Sequence, residues 1–133
     1  MTTEISNAIG PWLSGHVSDV DWQPFQYMEN GTPFTFGEFI PLRMEGTGGY
    51  TLAVGLWRVS EPSTSPPYTS ELGDETFLVL EGEVEIEIEG EPKRRRYGAG
   101  DYVSWSMGTP TTWHIVQAPF KKFFVVARPE KAP

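Results

Sequence analysis

The side chains able to do chemistry in this chain are carboxylates and aromatic rings, rather than thiols or imidazoles. It has no cysteine, and therefore no thiolate nucleophile, no sulfur ligand and no disulfide framework. Its two histidines, His16 and His114, are too few for a three-histidine metal site within one chain. A soft divalent ion would lack the imidazoles it prefers. Acidic groups dominate, with 18 Asp and Glu against 10 Lys and Arg and a formal charge of -8. That balance opposes a nucleic-acid partner, whose phosphates would be repelled. The one basic cluster, Lys93 to Arg96, lies beside acidic neighbours and reads as a solvated strand face before a phosphate patch. Aromatic residues are abundant, at 5 Trp, 5 Tyr and 8 Phe.

The elements that must position these groups are short strands. In "EVEIEIE", Val84, Ile86 and Ile88 fall on one face and Glu83, Glu85, Glu87 and Glu89 on the other. Strict period two is the pattern of a strand with one face in a core and one in water. A helix would scatter the same glutamates around its cylinder and bury some. Gly90, Glu91 and Pro92 predict a turn, after which "KRRRYGAGD" returns as a strand with arginines opposite glutamates. A row of charges along a strand also discourages edge-to-edge pairing, so the glutamate ladder reads as a surface feature rather than a metal site.

Similar short runs, "PFTFGEFIPL", "YTLAVGLWRVS", "ETFLVLEG", "DYVSWS", "TTWHIVQ" and "KKFFVVARP", lie between 14 glycines and 12 prolines spread along the chain. No long amphipathic helix, repeat or low-complexity tract interrupts them. The pattern predicts one all-β domain over the 133 residues, a sandwich or barrel. No apolar run is long enough for a membrane-spanning helix. The segment "MTTEISNAIG" lacks the basic and apolar regions of a secretory leader, so a cytoplasmic location is expected.

Several of these stretches resemble the cupins, in the branch of ureidoglycine aminohydrolase-type and ethanolamine-utilisation domains. The resemblance rests on "GLW" (Gly55 to Trp57), "DETFLVLEGEVEI" (Asp74 to Ile86), "GAGD" (Gly98 to Asp101), "SMG" (Ser106 to Gly108) and "TTW" (Thr111 to Trp113). It implies a double-stranded β-helix, or jelly-roll, barrel over residues 51–128, preceded by N-terminal strands and an arm over 1–50. It also implies a homodimer and a barrel mouth that holds a small molecule or a metal.

In metal-binding cupins the first motif supplies two histidines and a glutamate, and the second supplies another histidine. Glu75 stands at the glutamate position. Tyr68, Thr69, Ser70 and Glu71 occupy the region of the histidine pair, and Thr111 occupies the second-motif position. No cofactor is therefore expected. A hard ion, if one were held, would draw on Glu71, Glu75 and His114. If Thr111 and Trp113 face inward, alternation sends His114 outward, to the surface or a dimer interface. His16 lies outside the matched motifs and reads as a surface histidine. The resemblance places Trp57, Tyr68, Phe77, Trp105 and Trp113 near the cavity. Core packing is the plainer account of Phe77 and Trp105, and a pocket for a flat molecule the better one for Trp57 and Trp113.

Glu75 and Tyr68 are thus the expected catalytic groups, with Trp57, Thr111, Trp113, Trp105 and Phe77 as substrate contacts. Burial disfavours the charged form of a carboxylate, which makes Glu75 a candidate general acid or base acting alone. A hydrogen-bonded structural carboxylate is the equal alternative. The proline-rich loop from Ser60 to Asp74 would form either a rigid surface segment or a lid. The expected function is a metal-independent enzyme of isomerase, cyclase, lyase or hydrolase type. A metabolite-binding module, or a metal enzyme using Glu71, Glu75 and a histidine, stands as the alternative.

Overall fold

A computed structural model describes residues 10–129. The leader-free reading of "MTTEISNAIG" falls almost wholly on residues 1–9, outside the described residues. Among the described residues there is no helix. The strands are β1 (Gln23–Glu29), β2 (Thr32–Arg43), β3 (Thr51–Val59), β4 (Ser63–Thr64), β5 (Asp74–Ile88), β6 (Arg95–Gly98), β7 (Tyr102–Trp105) and β8 (Thr111–Arg128). All pairings are antiparallel, in the order β1-β2-β3-β8-β5-β6, with β4 on β8 and β7 on β5.

Two long strands hold the sheet together. The second half of β8 pairs with β3 on one side and with the first half of β5 on the other, while its first half pairs with the second half of β5. "ETFLVLEG" and "EVEIEIEG", read as separate strands, are one strand, β5. "TTWHIVQ" and "KKFFVVARP" are likewise one strand, β8. Each changes phase at its middle. In β5 the buried residues are Glu75, Phe77 and Val79, then Val84 and Ile86; in β8 they are Thr111, Trp113 and Ile115, then Phe120, Lys122, Phe124 and Val126. Register irregularities between Val79 and Val84 mark the change in β5. Bulges of this kind bend a strand so that it can serve two parts of a wrapped sheet.

Gly82 sits at that bend with φ of 80°. A Cβ there would stand 2.4 Å from the Pro119 carbonyl oxygen. The hairpin anticipated after the glutamate ladder is present: Glu85 opposes Arg96 and Ile86 opposes Arg95. Arg96 bridges Glu83 and Glu85 at 2.7 and 3.0 Å, and Arg94 reaches Glu87 at 3.2 Å. A turn closes over Gly98–Asp101, with the Gly98 amide donating to the Asp101 carboxylate at 2.8 Å.

Two strands fall outside the expected runs, the short β4 within the Ser60 to Asp74 loop and β1. β1 joins β2 through Asn30 and Gly31, both at positive φ, in the Asn-Gly turn that two-residue hairpins favour. The core gathers Phe39, Trp57, Phe77, Val79, Val84, Trp113, Phe120 and their neighbours, with Phe25 of β1 packed against it.

Gly82→Ala combines a left-handed backbone with a backbone clash, and should cost about 3 kcal/mol or more. Gly90 has similar φ but open space around it, so Gly90→Asn should change stability by less than about 1 kcal/mol. Urea denaturation of both variants measures the contrast.

Candidate functional site

The inward phases of β5 and β8 bring an acid and a base together inside the wrap. Lys122 Nζ donates to Glu75 Oε2 at 2.5 Å, with side chains only 6% and 1% exposed. The ammonium also lies over three rings, 4.2 Å from the centroid of Trp113, 4.8 Å from Trp57 and 4.9 Å from Phe77. Ring faces carry the negative end of the aromatic quadrupole, so this box stabilises a cation that has left water. Burial nevertheless drives the Lys122 amine below its ordinary range, opposed by the charge and hydrogen bond of Glu75. The solitary carboxylate expected from the sequence is therefore one half of an ion pair.

Tyr68 completes the centre. Its hydroxyl faces Glu75 Oε1 at 3.5 Å, the outer limit of a hydrogen bond. Burial first, and then the Glu75 charge, push the phenol well above its ordinary range, so it stays protonated as a donor. The loop that carries it is strapped to β8. The Tyr68 amide donates to the Thr111 carbonyl at 3.0 Å, the Thr111 amide donates back at 3.1 Å, and the Thr111 hydroxyl donates to the Tyr68 carbonyl at 2.6 Å. On the other side Glu29, at the end of β1, accepts from the Thr69 amide at 2.6 Å and the Thr69 hydroxyl at 2.7 Å.

A cavity of about 400 Å³ opens over this pair. Its walls are mainly rings: Phe25, Tyr27, Phe36, Phe39, Trp57 and Trp113. Glu75, Lys122, Tyr68 and Ser65 supply polar groups, and exposed Met28 and Leu72 mark the open side. Part of the Ser60 to Asp74 loop thus borders the opening, while its Ser63–Thr64 segment pairs with β8 as an added strand.

Of the residues expected at the site, Glu75, Tyr68, Trp57 and Trp113 line the cavity. Thr111, Trp105 and Phe77 do not. Thr111 ties down the Tyr68 loop and accepts the Trp113 indole N–H at 3.0 Å. Phe77 lies beneath the ammonium as part of its box. Trp105 packs against Tyr68 and Trp113, its indole N–H buried without a hydrogen-bond partner among the described residues.

The conditional metal set is not assembled. The Glu71 carboxylate accepts from the Asn30 amide at 2.8 Å. His114 points outward, as alternation required, to Glu87 at 2.6 Å and Thr64 at 3.0 Å. His16 is exposed and bonded to Ser18. Among the described residues no three His, Asp or Glu cluster as metal ligands. The donor set does not fit a cation for a further reason: Glu75 already holds an ammonium, which would repel it.

Lys122, absent from the sequence-based set, is the main addition. Its signal was the alternation Phe120, Lys122, Phe124, Val126. That signal was hidden by the phase change at residues 116–119, because counting on from Trp113 sends Lys122 outward.

A family model described as an EutQ-like cupin domain matches residues 50–124. Comparison with curated proteins finds no match. Among solved structures, a candidate ethanolamine utilization protein Q of Salmonella typhimurium is 19% identical. It covers 84% of this chain and 97% of that one, with a TM-score of 0.58. KdgF from Halomonas is 20% identical over 82% of this chain and 89% of its own, with a TM-score of 0.54. A Streptococcus pyogenes protein of unknown function is 25% identical over 59% of this chain and 66% of its own, with a TM-score of 0.51. The fold is the all-β cupin jelly roll expected from the sequence. Among the described residues no helix is long and apolar enough to cross a membrane.

Removing one partner of a buried pair strands the other's charge. Glu75→Gln and Lys122→Met should therefore each lose about 3–5 kcal/mol, and the double variant much less than their sum. A denaturation cycle reads this coupling. The pH dependence has two limbs. Between the lowered folded value of Lys122 and the unfolded one near about 10.4, the unfolded chain holds more protons, so stability rises with pH. Above about pH 10 the unfolded phenol ionises before Tyr68 does, so stability falls. Unfolding midpoints across alkaline pH should lose the rising limb in Lys122→Met and soften the falling limb in Tyr68→Phe.

Proposed function

The chain belongs to the EutQ-like cupin family, and from that premise we propose that it is a small-molecule enzyme working without a transition metal. In this reading Glu75 exchanges a proton with a flat, largely apolar substrate held among the cavity rings. The observation that carries it is the Glu75–Lys122 pair, 2.5 Å apart on the floor of an aromatic cavity open to solvent. Low dielectric and fixed donors are the conditions under which a positioned carboxylate moves protons effectively.

The division of labour follows from the geometry. The Glu75 carboxylate takes the substrate proton, and the Lys122 ammonium offsets the charge that the carboxylate carries beforehand. The Tyr68 hydroxyl, kept protonated, donates to a substrate oxygen on which negative charge develops. Trp57 and Trp113 set the plane of the bound molecule. Isomerisation, cyclisation, elimination and hydrolysis all contain such a step.

A second reading, a metabolite-binding module, is favoured by one observation: both members of the pair are already partnered, as in a structural ion pair. The homodimer expected from the sequence is carried as a proposal, supported by exposed Leu78 and Tyr102 opposite each other on β5 and β7. The cytoplasmic location is likewise a proposal.

A thermal-shift screen of small planar carbonyl and carboxylate compounds identifies ligands, since stabilisation tracks concentration over the dissociation constant. With a turned-over ligand, Glu75→Gln should lower kcat by about 100-fold or more while the ligand's thermal shift persists. Stabilising compounds that the wild-type protein never converts would establish the binding module instead.

A further inference from the structure

The same floor holds a second reactive group that the proton-transfer reading leaves as a bystander. We propose that Lys122 is a catalytic lysine, which condenses with the carbonyl carbon of an aldehyde or ketone bound in the cavity to form an iminium. This deepens the reading above and rests on the same cavity as its reaction chamber.

Three observations converge. Lys122 lines the cavity although its side chain is only 6% exposed, so a molecule in the cavity meets it while bulk water largely does not. A carboxylate stands 2.5 Å from its nitrogen, close enough to take the ammonium's proton directly. The rings of Trp113, Trp57 and Phe77 surround that nitrogen. A lysine desolvated in an apolar pocket is the setting in which an amine serves as a nucleophile, and the lowering of Lys122 by burial agrees with it.

The step balances within the pair. Glu75 takes one proton from the ammonium, leaving a neutral amine and a carboxylic acid. The amine's lone pair attacks the carbonyl carbon, and one proton passes from the attacking nitrogen to the carbonyl oxygen, giving a neutral carbinolamine. Glu75 then returns its proton to the carbinolamine hydroxyl, the C–O bond breaks, and water leaves. The nitrogen ends as a protonated iminium beside an ionised carboxylate, with the same net charge at the start and the end. The aromatic box that stabilises the ammonium therefore stabilises the product cation as well. A flat carbonyl compound is the class that suits these walls, which are mainly rings above the Glu75–Lys122 pair.

The test treats the wild-type protein with benzaldehyde and cyanoborohydride at neutral pH, and maps the reduced adduct by peptide mass spectrometry. Exposed Lys93 and half-buried Lys121 serve as internal controls. Modification of Lys122 is expected to be about tenfold or more faster than at either control, because an ordinary amine with a pKa of about 10.4 is almost wholly protonated there. Glu75→Gln should slow labelling of Lys122 and leave the controls unchanged. Label confined to Lys93, Lys121 and exposed amines would overturn the proposal. If Lys122 stays unlabelled while turnover still requires Glu75, the iminium falls and the proton-transfer reading stands. If Lys122 is labelled but no turnover depends on Glu75, the reverse holds.

Discussion

Two opposite charges have been taken out of water and placed among aromatic rings, and most of the structure can be read as the means of making that tolerable. An ammonium alone in such a place would cost several kcal/mol. Here it has a carboxylate at 2.5 Å and the faces of Trp113, Trp57 and Phe77 around it. Each of those groups must arrive from the correct side. Glu75 and Phe77 do so because β5 alternates in one phase before Gly82, and Lys122 does so because β8 alternates in another after residue 119. A slip of one residue in either strand would turn the charge outward and bring a neighbour in.

The pair also bears on whether this site suits a metal. Cupin barrels converge side chains on one point, and a divalent ion there needs several neutral or anionic donors. Here Glu75 faces the Lys122 ammonium at 2.5 Å, and that cation would repel a second one. The hydroxyl and aromatic groups around it, Tyr68 in particular, are positioned by straps to β1 and β8 rather than by coordination. Glu29 is the clearest example. It is a buried carboxylate outside the centre, engaged wholly in holding the Thr69 backbone and hydroxyl in place.

Much of the fold was legible because local pattern and tertiary role agree. The alternation in "EVEIEIE" survives intact in β5, and its arginine partners lie where the hairpin predicts. The merging of four expected strands into two was not legible. Glycine and proline ordinarily punctuate strands, whereas here Gly82 and the Pro119 region bend them without ending them. β1 was overlooked because Pro24 and a mixed composition weaken its strand signal, despite the Asn-Gly turn after it. Of the expected site residues, Glu75, Tyr68, Trp57 and Trp113 line the cavity. Thr111, expected beside them, lies off the cavity lining, its hydroxyl donating to the Tyr68 carbonyl. Lys122 was invisible because "KK" looks solvated and the phase change at residues 116–119 conceals which lysine turns in.

The most direct test of the central claim is to observe the side-chain ammonium itself. Proton–nitrogen NMR of protein labelled at lysine Nζ should show, near neutral pH, one ammonium signal that exchanges slowly with water, is shifted upfield by surrounding rings, and disappears in Lys122→Met. Lysine signals that all exchange at the rate of exposed amines and show no ring-induced shift would contradict the account.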